Sequence, residues 1–290
     1  MKYSEQHFTG ERALFGQKGL VIDNCVFDSG ESPLKQASDI EIRQCLFGWK
    51  YPLWYCRNVK VYESSWLAMA RAGVWYTENI EIEKALLQAP KNFRRCRNIS
   101  ITDTAMTDAA ETLWSCSGVR LKHVSAKGDY FAMNSENIEV DDLKLDGNYS
   151  FDGAKNVVVR SSCLLTKDAF WNSENVTVKD SFVSGEYLGW NSKNLTLENC
   201  TIESLQGMCY IDGLTLRNCR LMNTTLAFEY SKVEADVRSG IGSVFNPAAG
   251  TITAEYIGEL IIEKSEVDPS ATVIHCSDIR RRSDAPEWKR

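Results

Sequence analysis

The 290 residues contain no long apolar run, so nothing in them reads as the roughly 20-residue apolar stretch of a membrane-spanning helix. The opening residues, Met1-Lys2-Tyr3-Ser4-Glu5-Gln6-His7, lack the apolar core of a secretory signal. Cysteine is not scarce at 10 residues, yet no C-x-x-C or other zinc spacing occurs, which removes the usual metal and redox motifs. The three histidines, His7, His123 and His275, fall in unrelated places, so no Ser/His/Asp triad can be built. A basic excess is also missing: the net charge is −6, which argues against broad binding to a phosphate backbone. Gly240-Ile241-Gly242 lacks the third glycine and the following helix of a nucleotide loop. These absences predict a cytoplasmic chain with no cofactor, no metal site, no membrane and no nucleic-acid partner.

What is present is a repeated phrase: Asn, apolar, polar, apolar. It reads clearest as Asn175-Val176-Thr177-Val178 and Asn194-Leu195-Thr196-Leu197. Its first apolar position returns at Leu20, Ile40, Val59, Ile80, Ile99, Val119, Ile138, Val157, Val176, Leu195, Leu214, Val233 and Ile252. The steps are 20, 19, 21, 19 and 20, then seven of 19.

Counting from the Asn, positions one and three are apolar around polar neighbours, the period-2 mark of a half-buried strand. Positions six and eight, such as Cys200 and Ile202, form the inward face of a second strand. A third strand is expected before each Asn. Asn, Asp and Gly suit the zero position because they tolerate the left-handed backbone of a tight corner. Three short strands and tight corners in each repeat describe an all-β, single-stranded, right-handed parallel β-helix of about 12–13 rungs, with 19–20 residues each. Left-handed hexapeptide helices step by about 18 residues and fit less well. The whole chain, residues 1–290, then forms one β-helix domain. Residues 1–18 are expected to be an N-terminal cap, 19–265 the rungs and 266–290 a C-terminal cover.

Four stretches carry a resemblance to a known group. They are Lys50-Tyr51-Pro52-Leu53-Trp54-Tyr55, Glu111-Thr112-Leu113-Trp114, Lys167-Asp168-Ala169-Phe170-Trp171-Asn172 and Gly185-Glu186-Tyr187-Leu188-Gly189-Trp190-Asn191. They resemble an uncharacterised bacterial family of predicted cytoplasmic β-helix proteins with the pectin-lyase-like fold. The resemblance covers nearly the whole chain. It implies the fold and brings no activity with it; the lyases and hydrolases of the wider superfamily are analogies of fold alone.

The cysteines fall in small-residue columns, Cys25, Cys45, Cys200 and Cys219 in one and Cys56, Cys96 and Cys116 in another. Ser, Thr, Ala and Val replace them in other rungs, which points to buried free thiols serving as small apolar groups. The tryptophans Trp54, Trp75, Trp114, Trp171 and Trp190 share a column four residues before the corner. Inward columns step by three across each corner, and that rule places these rings in the core. Arg94 and Asp152 occupy the same column, so burial requires a one-residue bulge that swaps Phe93 and Phe151 inward. An outward column would instead be a stacking platform for sugars.

With the tryptophans inside, the residues seven, five and three before each corner form the outer face. Tyr51, Lys91, Arg95, Tyr130, Lys167, Asn172, Tyr187 and Asn191 lie on that face or at its preceding corner and are candidate ligand-binding residues. Aromatic faces among polar groups suit an extended, carbohydrate-like small molecule or oligosaccharide. Two carboxylate pairs fall on adjacent rungs, Glu111 with Asp129 and Asp168 with Glu186. Adjacent rungs bring carboxyls to about 5 Å and alternate rungs to about 10 Å, bracketing the separations of glycosidases. These four are candidate catalytic residues of a lyase or hydrolase; ion pairing with Lys91, Arg95 and Lys167 is the plainer explanation. A non-catalytic scaffold that self-associates through this face is the third possibility.

Overall fold

The computed structural model describes residues 1–289. The chain folds as two compact units, Met1–Gly147 and Asn148–Arg290. Each is a parallel β-solenoid, and together they make about fifteen turns of about 19 residues with no α-helix among the described residues.

In the first unit the repeated phrase forms strands Lys18–Asp23, Ser38–Arg43, Arg57–Tyr62, Glu78–Glu83, Arg97–Met106, Ser117–Lys127 and Glu136–Asp146. All pair parallel, with Leu20, Ile40, Val59, Ile80, Ile99, Val119 and Ile138 in one register. The stretch ahead of the first marked rung is laid down in the same way: Lys2 pairs with Val21, and His7-Phe8 with Val26-Phe27. In the second unit Val157, Val176, Leu195 and Leu214 share a register. Parallel pairing continues past residue 265, with Thr272–His275 on Ala249–Thr253 and Ile279–Ser283 on Ile257–Ile261. The turn count exceeds the 12–13 marked rungs because the chain coils before and after the Asn phrase is legible.

One turn cannot bury its own inner face, so identical positions stack and share a core. Positions one, three, six and eight are buried as expected, Leu195, Leu197, Cys200 and Ile202 among them. Inside the first unit the rings of Phe8, Phe27, Phe47 and Trp66 stack turn upon turn, with centroids 4.9, 5.0 and 4.6 Å apart. All ten cysteines are free, and Cys25, Cys45, Cys56, Cys96, Cys116, Cys200, Cys209 and Cys219 are buried. Burial pushes the Cys45 thiol up to about 11 and the Cys56 thiol up to about 12, so both stay protonated and unreactive.

The zero-position Asn is left-handed, as at Asn58 (φ 55°), Asn79 (57°) and Asn98 (54°). That conformation costs an ordinary residue roughly 1–2 kcal/mol. Side-chain hydrogen bonds from turn to turn offset it: Asn58 Nδ2 donates to Asp39 Oδ1 (2.8 Å), Asn79 to Asn58 (2.9 Å) and Asn98 to Asn79 (2.9 Å). Glycine continues the left-handed corner at Gly118 (φ 71°) but supplies no side-chain amide to donate to Asn98.

Candidate functional site

The segment before each corner departs from the expected third strand. In the first unit it shrinks to the two-residue pairing of Leu53-Trp54 with Val74-Trp75, then to single bridges of Arg94 with Trp75 and Trp114. The cause is an alternating backbone: Lys91, Phe93 and Arg95 are left-handed (φ 61°, 54° and 52°), and so are Asp168, Phe170 and Asn172 (55°, 60° and 50°). Left-handed residues at every second position destroy strand alternation. Side chains therefore point inward five and two residues before the corner and outward four and three before it.

This corrects two expectations. The residues five before the corner, Leu53, Val74, Phe93, Leu113, Phe151 and Phe170, are fully buried rather than part of an outer row. The tryptophan column is half-buried at the surface, not in the core. No bulge is needed, because Phe93 and Phe151 sit in the same inward column as Leu53 and Phe170 while Arg94 and Asp152 align with the tryptophans.

The outward column is not an open platform for sugars either, because its ring faces are already occupied. Trp54 and Trp75 stack at 5.0 Å and 6°. The Arg94 guanidinium lies between Trp75 (5.0 Å) and Trp114 (4.9 Å), as a cation on two aromatic faces. Indole N–H groups are tied down as well: Trp54 Nε1 donates to Ala72 O (2.7 Å) and Trp75 Nε1 to Lys91 O (2.9 Å). In the second unit Trp171 Nε1 donates to Tyr187 O (2.8 Å), and Trp190 packs on Tyr210 at 4.4 Å. These rings clamp one turn to the next.

Both carboxylate pairs do fall on adjacent turns. Glu111 N–H donates to Asp129 O (2.8 Å) and Asp168 N–H to Glu186 O (2.9 Å). Their chemistry diverges. The Glu111 carboxylate receives Lys91 Nζ at 3.0 Å and an Arg94 guanidinium nitrogen at 2.7 Å. Burial raises the Glu111 carboxyl, but the hydrogen bonds and charges of Lys91 and Arg94 outweigh it and hold it below its ordinary value. A carboxylate locked into two cations is a poor proton donor. Its neighbours Asp129 and Tyr130 are exposed, and Arg95 lies against the outer face of Tyr76 at 5.9 Å.

Asp168 is only 7% exposed. Burial pushes its carboxyl up; the nearby charge of Glu186 adds to the rise, while Lys167 and a hydrogen bond with the Tyr149 side chain oppose it. Lys167 Nζ lies 3.0 Å from Glu186 Oε2, and this contact raises the lysine above its ordinary value. Two acids on adjacent turns are thus set differently, one buried and reluctant to ionise, one paired with a lysine. Asn191 Nδ2 donates to Asn172 Oδ1 (2.9 Å) and Asn172 Nδ2 to Asp152 Oδ1 (3.0 Å), so these two candidate ligand residues are partly spent on their own ladder. Tyr51 packs on Trp54 at 4.5 Å and is likewise engaged.

Beside Lys167 and Glu186 the second unit opens a cleft of about 340 Å³, lined also by Ser184, Gly185, Glu203, Leu205 and Asn223. Glu203 is held at both oxygens, by Ser184 Oγ (3.2 Å) and Asn223 Nδ2 (2.7 Å). Tyr187 N–H donates to Leu205 O (3.2 Å), which joins the predicted face to this cleft. Ser184, Glu203, Leu205 and Asn223 lie toward the ends of strands Phe182–Ser184, Thr201–Leu205 and Asp212–Thr225, past position eight, where the apolar pattern stops. The sequence signal available was Leu205, an apolar residue that the structure leaves 49% exposed.

The first unit carries a larger groove, about 670 Å³, on the outer face of its first strands, where Glu41, Lys60 and Glu81 run beside the Asn ladder. A smaller hollow of about 330 Å³ contains His123 and Asp103, whose Nδ1 and Oδ1 are 3.0 Å apart. Among the described residues no group of three or more Cys, His, Asp or Glu could hold a metal ion.

Among solved structures, the chain is similar to the A-module of a mannuronan C-5 epimerase of Azotobacter vinelandii, at 11% identity and TM-score 0.39, over 99% of this chain and 89% of that one. It is also similar to a mutant tailspike protein of E. coli bacteriophage HK620 in complex with pentasaccharide, at 9% identity and TM-score 0.36, over 98% and 70%. A third similarity is to the full-length plasmid-mediated fluoroquinolone resistance protein QnrB1, at 14% identity and TM-score 0.24, over 77% and 94%. No curated protein matches by sequence. A family model matches residues 1–275, and the chain belongs to that family, DUF3737, described as a protein of unknown function.

Proposed function

We propose that the second unit binds an extended, polyhydroxylated ligand of carbohydrate type in the cleft beside Lys167 and Glu186. The observation that carries this reading is the composition of the cleft. An apolar floor at Leu205 is ringed by Lys167, Ser184, Glu186, Glu203 and Asn223 in about 340 Å³. An apolar patch takes the C–H face of a sugar ring, and charged or amide groups around it take the hydroxyls. The ten cysteines, all free, suit a reducing compartment, and we place the protein in the cytoplasm. Titration against a panel of neutral, amino and acidic oligosaccharides tests the reading. Lys167→Met and Glu186→Gln are expected to weaken a bound sugar on the order of tenfold each, the worth of a hydrogen bond to a charged group. Folded variants with unchanged affinity would overturn it.

A second reading, a glycan-active enzyme, is favoured by Asp168 alone. A carboxyl that burial raises above its ordinary value, one turn from a glutamate held by Lys167, is the division of labour glycosidic cleavage requires. New reducing ends or unsaturated products from a bound oligosaccharide, abolished by Asp168→Asn while binding persists, support this reading. Prolonged incubation without either product removes it.

A further inference from the structure

Two carboxylates, Glu186 and Glu203, line the cleft with a single cation, Lys167. Glu186 is neutralised by Lys167 at 3.0 Å. Glu203 has only neutral partners, the Ser184 hydroxyl and the Asn223 amide, and these fix both of its oxygens in place. One residue past Leu205, Gln206 Nε2 donates to Glu229 Oε2 at 3.1 Å, and Glu229 is itself only 8% exposed. Among the described residues neither Glu203 nor Glu229 is paired with a lysine or arginine. Of the two only Glu203 lines the cleft, and an uncompensated carboxylate in a partly enclosed site is costly and attracts a positive group.

We propose that the cleft selects ligands carrying a protonated amine, amino sugars being the class that fits its remaining walls, and that Glu203 receives the ammonium group. This rests on the cleft reading above and narrows it. The pre-set carboxylate of Glu203 accepts a charge-assisted hydrogen bond without having to reorient, since Ser184 and Asn223 already hold it. Leu205 covers the apolar face of the ring beside it, and Glu186 with Lys167 offers one acceptor and one donor to hydroxyls. A uronate places its carboxylate against Glu203 and Glu186 and is repelled. An N-acetylated sugar has lost the charge and presents an amide in its place.

The test is calorimetric titration of the full chain with three tetrasaccharides: a glucosamine oligomer, its fully N-acetylated counterpart and an oligouronate. The expected order is amine over N-acetyl by about tenfold or more, with the uronate weakest. Glu203→Gln, checked for folding by circular dichroism, is expected to erase the advantage of the amine, bringing its affinity down to that of the N-acetylated form. Asn223→Ala, which frees the carboxylate without removing its charge, should give an intermediate loss. Equal affinity for amine and N-acetyl forms overturns the proposal, as does an amine preference that survives Glu203→Gln. A simple diamine that binds as tightly as the amino sugar also overturns it, since the ring contacts would then contribute nothing. If neutral sugars bind and Lys167→Met weakens them while the amine brings no gain, the cleft reading stands and this one falls. If no oligosaccharide binds, both fall.

Discussion

Glu111 in the first unit and Asp168 in the second stand at the same place in the repeat, seven residues before the corner, and they have opposite fates. Glu111 is clasped by Lys91 and Arg94 and held below its ordinary value. Asp168 is buried with Lys167 turned to Glu186, and its value rises. The backbone supplies the same left-handed step at both, φ 54° and 55°. What differs is the side chain next along the stack. An arginine between two tryptophans reaches Glu111, whereas at the same place in the repeat before Asp168 stands Asp152, whose charge adds to the rise. A solenoid repeats its geometry, and chemistry enters where one turn changes its neighbour.

The largest way to break the comparison is to remove that arginine. Arg94→Met keeps a stem between Trp75 and Trp114 but loses both cation–ring contacts and the Glu111 pairing. We expect a loss of about 2 kcal/mol in urea unfolding. The Glu111 carboxyl should move up toward its ordinary value, followed by carbon-13 titration. An unchanged unfolding midpoint would mean that the stack holds Glu111 without the arginine.

A smaller effect, opposite in sign between the two sites, appears in the pH dependence. A carboxyl held low in the folded state contributes stability above its ordinary value, 4.5 for glutamate, and loses it as pH falls through the folded value. Glu111→Gln should therefore cost on the order of 1 kcal/mol at neutral pH and nothing in acid. Asp168 is the reverse. The folded state binds its proton more tightly than the unfolded chain, so stability falls as pH rises from the ordinary 3.8 through the raised value. Asp168→Asn should gain stability at neutral pH and flatten that descent. Unfolding midpoints of both variants from pH 3 to pH 7 check the pair; slopes of equal sign would erase the distinction.

The smallest effect expected is that of Lys91→Ala. Its side chain is about half exposed, at 47%, and an ion pair of that kind is worth roughly 0–1 kcal/mol. A loss as large as that of Arg94→Met would shift the clasp on Glu111 from the half-buried guanidinium to the surface lysine.

Much of the fold could be read from the chain. The 19-residue step, the inward pairs such as Leu195 and Leu197, and the left-handed Asn all follow from apolar periodicity and corner chemistry. The third segment could not be read so directly. Its alternating left-handed residues include Lys91, Phe93, Glu111 and Leu113, types with no preference for that backbone. They adopt it because turn-to-turn hydrogen bonds, such as Leu113 N–H to Asn92 O at 2.9 Å, leave no alternative. The step-by-three rule assumed a strand and so placed the tryptophans one position out of phase. Of the candidate site, Lys167 and Glu186 reach the cleft because they precede the segment, where phase does not matter. Glu203 and Asn223 were invisible because their meaning comes from facing each other across neighbouring turns.

The Asn ladder has a direction. At Asn58, Asn79 and Asn98, and at Asn175 and Asn194 in the second unit, the amide donor belongs to the later turn and the acceptor to the earlier one. A chain synthesised from its N-terminus therefore offers each new corner an acceptor that is already in place.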